Sequence, residues 1–265
     1  MQIESFGISD VGKKREKNED SFLVKPDLSL YMVADGMGGH VGGECASKMA
    51  VETVEAVISE LLHDPEATLP ESASVKIGDY KSYLQYSLSQ ASFRIYDRAL
   101  KDSKLQGMGT TSVVLMFQDD KAYVANVGDS RVYRVRKGKI EQLTEDHSLV
   151  GEQLKAGMLQ KEDLKVHRLR NIITRSVGFQ AEVEADVDVK SLKEGDIFLL
   201  CSDGLYTLVE DAEMCDVLNH QNLQEACKHL IDIANSRGGD DNVTVVVAKV
   251  VSLESAEEEE STMKL

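Results

Sequence analysis

The sequence predicts an α+β fold, and three observations carry that prediction. Short apolar runs of β character open the chain, two long amphipathic segments follow, and a hairpin-rich stretch of β-branched residues comes after them. With 265 residues, 42% of them hydrophobic, the chain can bury a substantial core and lies within the size range of one larger domain.

The first strands are read in "IESFGI", "SFLV" and "LYMVAD", within the first 36 residues. Between Ala46 and Leu61 the apolar residues Ala46, Met49, Ala50, Val54, Val57, Ile58 and Leu61 recur at three and four. From Tyr80, the set Tyr80, Leu84, Leu88, Ala91, Ile95 and Ala99 does the same, so both segments are expected as helices packed on a sheet. The polar stretch between them, "HDPEATLPESASVKIG", holds two of the three prolines and reads as a loop. "TTSVVLMF", "KAYVANVG" and "SRVYRVRKGKIEQLT" return to strands, with turns at Asp119-Asp120 and Lys137-Gly138. Residues Ser148 to Arg170 mix charges without a long apolar face and are placed as an excursion from the sheet. In "VEADVDV", Val183, Ala185, Val187 and Val189 alternate with acids, the pattern of a half-buried strand. "DIFLLCSDG" is a short buried strand stopping at Asp-Gly, a helix is expected around Leu223 to Asn235, and "NVTVVVAKVV" is the last strand. The tail from residue 251 to 265 is acidic, low in apolar content and expected to be disordered.

A formal charge of −16 argues against a general nucleic-acid or anionic-membrane binder, because both polyanions would repel such a surface. Cys45, Cys201, Cys215 and Cys227 form no C-x-x-C pair and read as reduced core thiols of a cytoplasmic protein. The N-terminal residues lack an apolar signal core, and no run approaches the roughly 20 apolar residues of a membrane span, so neither export nor anchoring is expected.

Several acids sit at strand ends: Glu19 and Asp20 before "SFLV", Asp35 after "LYMVA", Asp129 after "YVANVG", Asp203 after "FLLCS" and Asp241 before the last strand. An ionised carboxylate there needs a hydrogen-bonding or cationic partner. Taken singly, each also fits a turn or a helix cap. If the strands lie side by side, however, the acids converge, and converging carboxylates repel unless a cation sits between them. An oxygen-only donor set without a Cys/His cluster selects hard ions, Mg²⁺ or Mn²⁺, over zinc. Gly36, Gly38 and Gly39 would then let the backbone turn sharply and bring a carbonyl close to an ion.

In order along the chain stand "GKKREKNED", "VADGMGGH", "GTTSVV", "ANVGDSRVY", "LTEDHS", "ITRSVG", "CSDGL" and "GGDDNVTVVV". This ordered set resembles the PPM, or PP2C-type, metal-dependent serine/threonine protein phosphatases in their short single-domain bacterial form, over about residues 1 to 250. The resemblance implies a four-layer αββα sandwich, two central and mostly antiparallel sheets flanked by helices, with a binuclear Mn²⁺ or Mg²⁺ centre at one end. By motif match, Asp35 would bridge the ions, Glu19 and the Gly36 carbonyl would complete one, and Asp203 and Asp241 would hold the other. Asp20 would orient metal-bound waters. Asp129 would help Asp203 hold a weaker third ion.

A water between two divalent ions is acidified enough to attack phosphorus directly, so no covalent phosphoenzyme is expected. Arg15 resembles the family's phosphate clamp, a task for which a planar guanidinium suits better than a lysine. His40 matches the histidine expected to protonate the leaving serine or threonine oxygen, with a carboxylate-bonding role as its alternative. His147 is not expected to be catalytic. Arg175 and Asn242 read as structural, with Asn242 a candidate to orient Asp241. The excursion, about residues 148 to 172, would form a flap bordering the cleft. Substrates would be phosphorylated proteins of a serine/threonine kinase or partner-switch system, and the protein is expected to be a monomer.

Other chemistries fit less well. No cysteine is followed by x₅-R, "DVDV" lies in an alternating strand and not an aspartyl-phosphate loop, and no G-x-x-x-x-G-K-[ST] occurs. A catalytically dead phosphoprotein-binding relative would have lost ligand acids, yet Glu19, Asp35, Asp203 and Asp241 are all present. A metal-dependent nuclease or phosphodiesterase lacks a basic track.

Overall fold

A computed structural model describes residues 1–38, 42–64, 75–159, 169 and 172–253. His40, most of the inter-helix stretch, the middle of the expected flap and the acidic tail from residue 254 lie outside the described residues.

Strands apolar on both faces dictate a layered architecture, since each face must be covered. In β3 (Leu30–Met37) the residues Leu30 to Ala34 are all buried. Leu30, Met32 and Ala34 pack with Ala50, Val54, Ile58, Leu84 and Leu88 of α1 (Gly42–His63) and α2 (Tyr80–Lys101). Tyr31 and Val33 point the other way, into a core shared with Phe198, Leu200, Val246 and Ala248 of a second sheet. The period of two thus sends alternate residues of one strand into two different cores.

The first sheet runs β2 (Asp20–Lys25), β3, β5 (Ser112–Gln118), β6 (Lys121–Val127) and β9 (Asp186–Ser191), with the short β4 (Gly109–Thr110) paired to the end of β3. The second runs β1 (Gln2–Asp10), β11 (Val243–Ser252), β10 (Ile197–Cys201), β7 (Arg131–Arg136) and β8 (Lys139–Gln142). Each pairing among the described strands is antiparallel. Phe117 and Phe198 meet edge to face across the layers at 5.3 Å, an arrangement worth about 1 kcal/mol beyond area burial. On the outer side of the second sheet, α5 (Asp211–His220) and α6 (Leu223–Ser236) bury Met214, Leu218, Leu230 and Ile231. Helix, sheet, sheet, helix is the four-layer α+β sandwich that the family resemblance implies.

The turns match their residues. Asp119, Asp120 and Lys137 have φ of 49°, 56° and 52°, and Gly138 of 71°, the left-handed geometry of tight hairpin loops. Within the excursion, Ser148 caps a short helix α3 (Leu149–Lys155), accepting the Gly151 N–H at 3.1 Å. The strand expected over "VEADVDV" starts only at Asp186, because its partner β6 leaves the sheet at Gly128, which has φ 103°. The four cysteines are free, with Cys201, Cys215 and Cys227 buried and Cys45 half-buried. No helix among the described residues is long and apolar enough to cross a membrane.

Candidate metal centre

The β2–β3 pairing places Asp20 directly opposite Asp35. Asp35 does not end its strand: β3 continues through Gly36 and Met37, which exchange neighbours and pair with Thr110 and Gly109. The switch keeps the backbone hydrogen-bonded while the strand passes the site. Thr111 and Thr110 fix Asp35 from the β4–β5 side, the Asp35 N–H donating to Thr111 Oγ1 at 3.0 Å and its carbonyl accepting from Thr111 N and Thr110 Oγ1, each at 2.8 Å.

Glycine at 36 has a different cause from the expected sharp turn. Gly36 shows no positive φ, whereas a Cβ on it would sit 2.1 Å from the Gly43 carbonyl oxygen at the start of α1. A Cβ on Gly43 would in turn lie 2.8 Å from Glu19 Oε1. The helix therefore meets the strand backbone to backbone, and Glu19 lies over that junction with its carbonyl accepting the Gly36 N–H at 3.1 Å. Gly38 does carry the turn geometry, with φ 132°.

The other sheet brings the remaining acids. Asp203 follows β10 as the first residue of α4 (Asp203–Tyr206), and Asp241 precedes β11. A Cβ on Gly204 would come within 2.0 Å of the Asn242 carbonyl oxygen, so the two chain segments touch through glycine. Asp129 lies in the crossover from β6 to β7, where the chain passes between sheets, and is buried.

These carboxylates act on one another. Burial, then the charges of Asp20, Asp203, Asp129 and Asp241, push the Asp35 carboxyl well above its usual range. Burial raises Asp20 to about 7, against the pull of hydrogen bonds from Thr244 Oγ1 at 2.5 Å and Ser202 Oγ at 2.8 Å, with Asp203 and Asp241 adding to the rise. Asp129 is likewise pushed up to about 7, by burial first and by Asp203 next. Both hydroxyls on Asp20 reach Oδ2, while Oδ1 is buried with no hydrogen-bond partner among the described residues. Among those residues, no three or more His, Cys, Asp or Glu side chains stand in an arrangement that would hold a metal ion without adjustment.

Arg15 reaches this field, its Nη2 donating to Asp241 Oδ2 at 2.6 Å, and Glu19 and Asp35 also act on its charge. Its loop is tied down by Asn242. That side chain accepts the Glu19 N–H at 2.8 Å and donates to the Val11 and Lys17 carbonyls, each at 2.9 Å. The Asn242 backbone N–H meets Asp241 Oδ1 at 2.9 Å. Asn242 thus holds Asp241 through its main chain, and its amide serves the Arg15 loop, a role its place in "DDNVT" did not disclose. Ser202, Thr244 and Thr111 were also missed as supports. Each lies in a quoted motif, but the acid it bonds, Asp20 or Asp35, belongs to another strand.

His147 accepts the Gly128 N–H through Nδ1 and meets Asp186 through Nε2, and Arg175 donates to Asp186. Asp186 and Asp188 face outward and pair with Arg175 and Lys190. Arg131, two residues beyond Asp129, is committed to Asp146 and to the Tyr206 ring, 3.6 Å from its centroid.

Comparison with known proteins identifies the family. Residues 5–243 match the family model "Protein phosphatase 2C". The serine/threonine phosphatase stp of Listeria innocua is 39% identical over 245 residues, covering 91% of this chain and 93% of that protein. The crystal structure of the Mycobacterium tuberculosis serine/threonine phosphatase PstP/Ppp superposes with a TM-score of 0.82 at 32% identity, over 94% of this chain and 99% of that one. A structure of the PstP catalytic domain in complex with two manganese ions superposes with a TM-score of 0.81 at 31% identity, over 94% and 99% of the two chains. The family match spans both sheets and reaches every described acid of the site, and on it the chain belongs to the protein phosphatase 2C family.

Proposed function

We propose that this PP2C-family serine/threonine phosphatase hydrolyses phosphoserine and phosphothreonine in proteins with the help of Mn²⁺ or Mg²⁺ held by Glu19, Asp35, the Gly36 carbonyl, Asp203 and Asp241. The observation that carries the reading is the set of mutually repelling carboxylates around Asp35, Asp20 and Asp129 among them buried, with Asp20 Oδ1 lacking a donor among the described residues. Such a set is stable as anions only beside compensating positive charge, and its oxygen-only chemistry fits small hard cations. The manganese complex of a structural neighbour agrees with that choice.

When bound, divalent ions supply charge for the phosphoryl oxygens and a water acidic enough to attack phosphorus. This chain's residues do the rest. Asp20, anchored through Oδ2 by Ser202 and Thr244, presents Oδ1 to accept a proton from the attacking water. Arg15 swings from Asp241 to the phosphoryl group, where its fork holds two oxygens in plane. His40 is assigned to protonate the departing serine or threonine oxygen, and Asp129 to a weaker third ion. We further assign the protein to the cytoplasm as a monomer, acting on phosphoproteins of a serine/threonine kinase or partner-switch system. Four free thiols support the compartment.

The deciding experiment is turnover of a phosphothreonine peptide with Mn²⁺ and with excess chelator. Hydrolysis that needs Mn²⁺ is expected; full activity in chelator would overturn the mechanism.

A further inference from the structure

Asp129 has to be held at the crossover where the chain leaves one sheet for the other, and loop backbone alone does not hold a carboxylate in place. Its neighbours supply the restraint. Gly128 has φ 103°, and a Cβ there would lie 2.7 Å from Thr111 Cβ, so the turn is pressed against the threonine that receives the Asp35 N–H. Ser130 Oγ meets the same Thr111 hydroxyl at 2.7 Å. One side of the turn is thereby fixed relative to Asp35.

The other side is fixed by His147. Its Nδ1 accepts the Gly128 N–H at 3.1 Å, and its own N–H donates to the Gly128 carbonyl at 2.9 Å. With Nδ1 accepting, the ring proton resides on Nε2, which donates to Asp186 Oδ2 at 3.1 Å. The 3.3 Å approach of Arg175 Nη1 to Nε2 is then a packing contact between two donors. Arg175 makes its hydrogen bonds to Asp186 Oδ1 at 2.8 Å and the Glu184 carbonyl at 3.0 Å. His147 is buried, and its carbonyl accepts the Thr174 N–H at 2.9 Å, next to the bridge between Ser148 and Ile173. The two stems of the excursion therefore meet at the residue that grips Gly128.

We propose that His147 is a positioning residue for Asp129: its ring and main chain clamp the Gly128–Ser130 turn that Thr111 also contacts, holding the Asp129 carboxylate in place and joining it to the base of the 148–172 excursion. His147 touches neither substrate nor ion and acts through the turn. The part of the inference that concerns cation binding rests on the proposed function, and the experiment separates the two.

The test uses the full chain and three variants, His147→Leu, His147→Asn and Asp129→Asn. Asparagine places an amide oxygen near the position of Nδ1 and keeps the acceptor; leucine removes it. In metal-free protein, amide exchange at Gly128 and Asp129, read by NMR, is expected to accelerate in His147→Leu and to return toward wild type in His147→Asn. Mn²⁺ titration by calorimetry is expected to show the weakest binding event lowered roughly 10- to 100-fold in His147→Leu, as in Asp129→Asn, with recovery in His147→Asn. Unchanged exchange in His147→Leu overturns the inference, as does faster exchange with Mn²⁺ binding unaltered while Asp129→Asn weakens it. Faster exchange in a protein whose wild type binds no Mn²⁺ leaves the clamp standing and sinks the functional reading. If His147→Leu lacks the native NMR spectrum, Asp186→Ala, at a half-exposed side chain, frees the ring from its outer partner and decides by the same two measurements, with the same direction expected.

Discussion

Asp20 and Asp35 face each other as register partners across β2 and β3, two carboxylates on neighbouring strands. Burial raises both carboxyls first, and the charge of Asp20 raises Asp35 further. The charge state of this pair decides how the metal-free protein responds to pH.

Asp20 and Asp129 have pKa values pushed up to about 7 from an ordinary 3.8, and Asp35 is shifted the same way. A carboxylate whose pKa is higher in the fold than in the unfolded chain costs stability when it ionises. That cost is absent below the unfolded value, grows as pH rises, and is complete above the folded value. Ordinary carboxylates are already ionised above about pH 5, so they contribute little to a change between pH 5 and 8, where the raised carboxyls ionise. The melting temperature in chelator is expected to fall across that window, and saturating Mn²⁺ to remove the fall. A flat or rising profile in chelator would show that the acids are not in strain.

Asp35→Asn removes the charge at the centre of the field. Phosphopeptide turnover in Mn²⁺ is expected to drop by about 10²-fold or more. The metal-free melting temperature should meanwhile rise, by roughly 2–4 °C for each kcal/mol of repulsion relieved. Loss of activity accompanied by loss of stability in chelator would instead indicate a structural role for the carboxylate.

Arg15 is half-exposed and paired with Asp241, so Arg15→Ala is expected to change metal-free stability by less than about 1 kcal/mol. Its effect should appear as a raised KM for phosphopeptide. Arg15→Lys is not expected to restore KM, because an ammonium lacks the planar two-point grip. Steady-state constants unchanged in both variants would remove Arg15 from the phosphate site.

Asn242→Ala leaves the Glu19 N–H and the Val11 and Lys17 carbonyls without their partner. Three net hydrogen bonds correspond to about 2–4 kcal/mol, measurable by urea unfolding of the metal-free protein. Activity is expected to fall further than stability alone explains, since the loop carrying Arg15 and Glu19 is released. Wild-type turnover in this variant would mean the tether does not serve the site.

Much of the fold is legible because its signals are local. The three-and-four spacing from Ala46 to Leu61 finds α1, and its earlier start at Gly42 goes with glycines that let its first turn sit against β3. Asp119-Asp120 and Lys137-Gly138 announce their turns because few residues tolerate positive φ. What escapes the sequence is set by distant partners. α5 goes unread although Glu210 and Glu213 form a capping box at its start, because its apolar residues Met214, Cys215, Val217 and Leu218 make a short stripe among polar neighbours. The acids are legible as a set, since each interrupts an apolar run. Their supports are not, because Thr244 and Ser202 bond to an aspartate more than 180 positions away.

Asp20 and Asp35 ride on one sheet, and Asp203 and Asp241 border strands of the other. A cation held by all four, as proposed, would also rivet the halves of the sandwich, so that slippage between layers and loss of turnover would become a single event. An enzyme assembled this way carries its own alignment gauge: only a correctly stacked molecule can dephosphorylate.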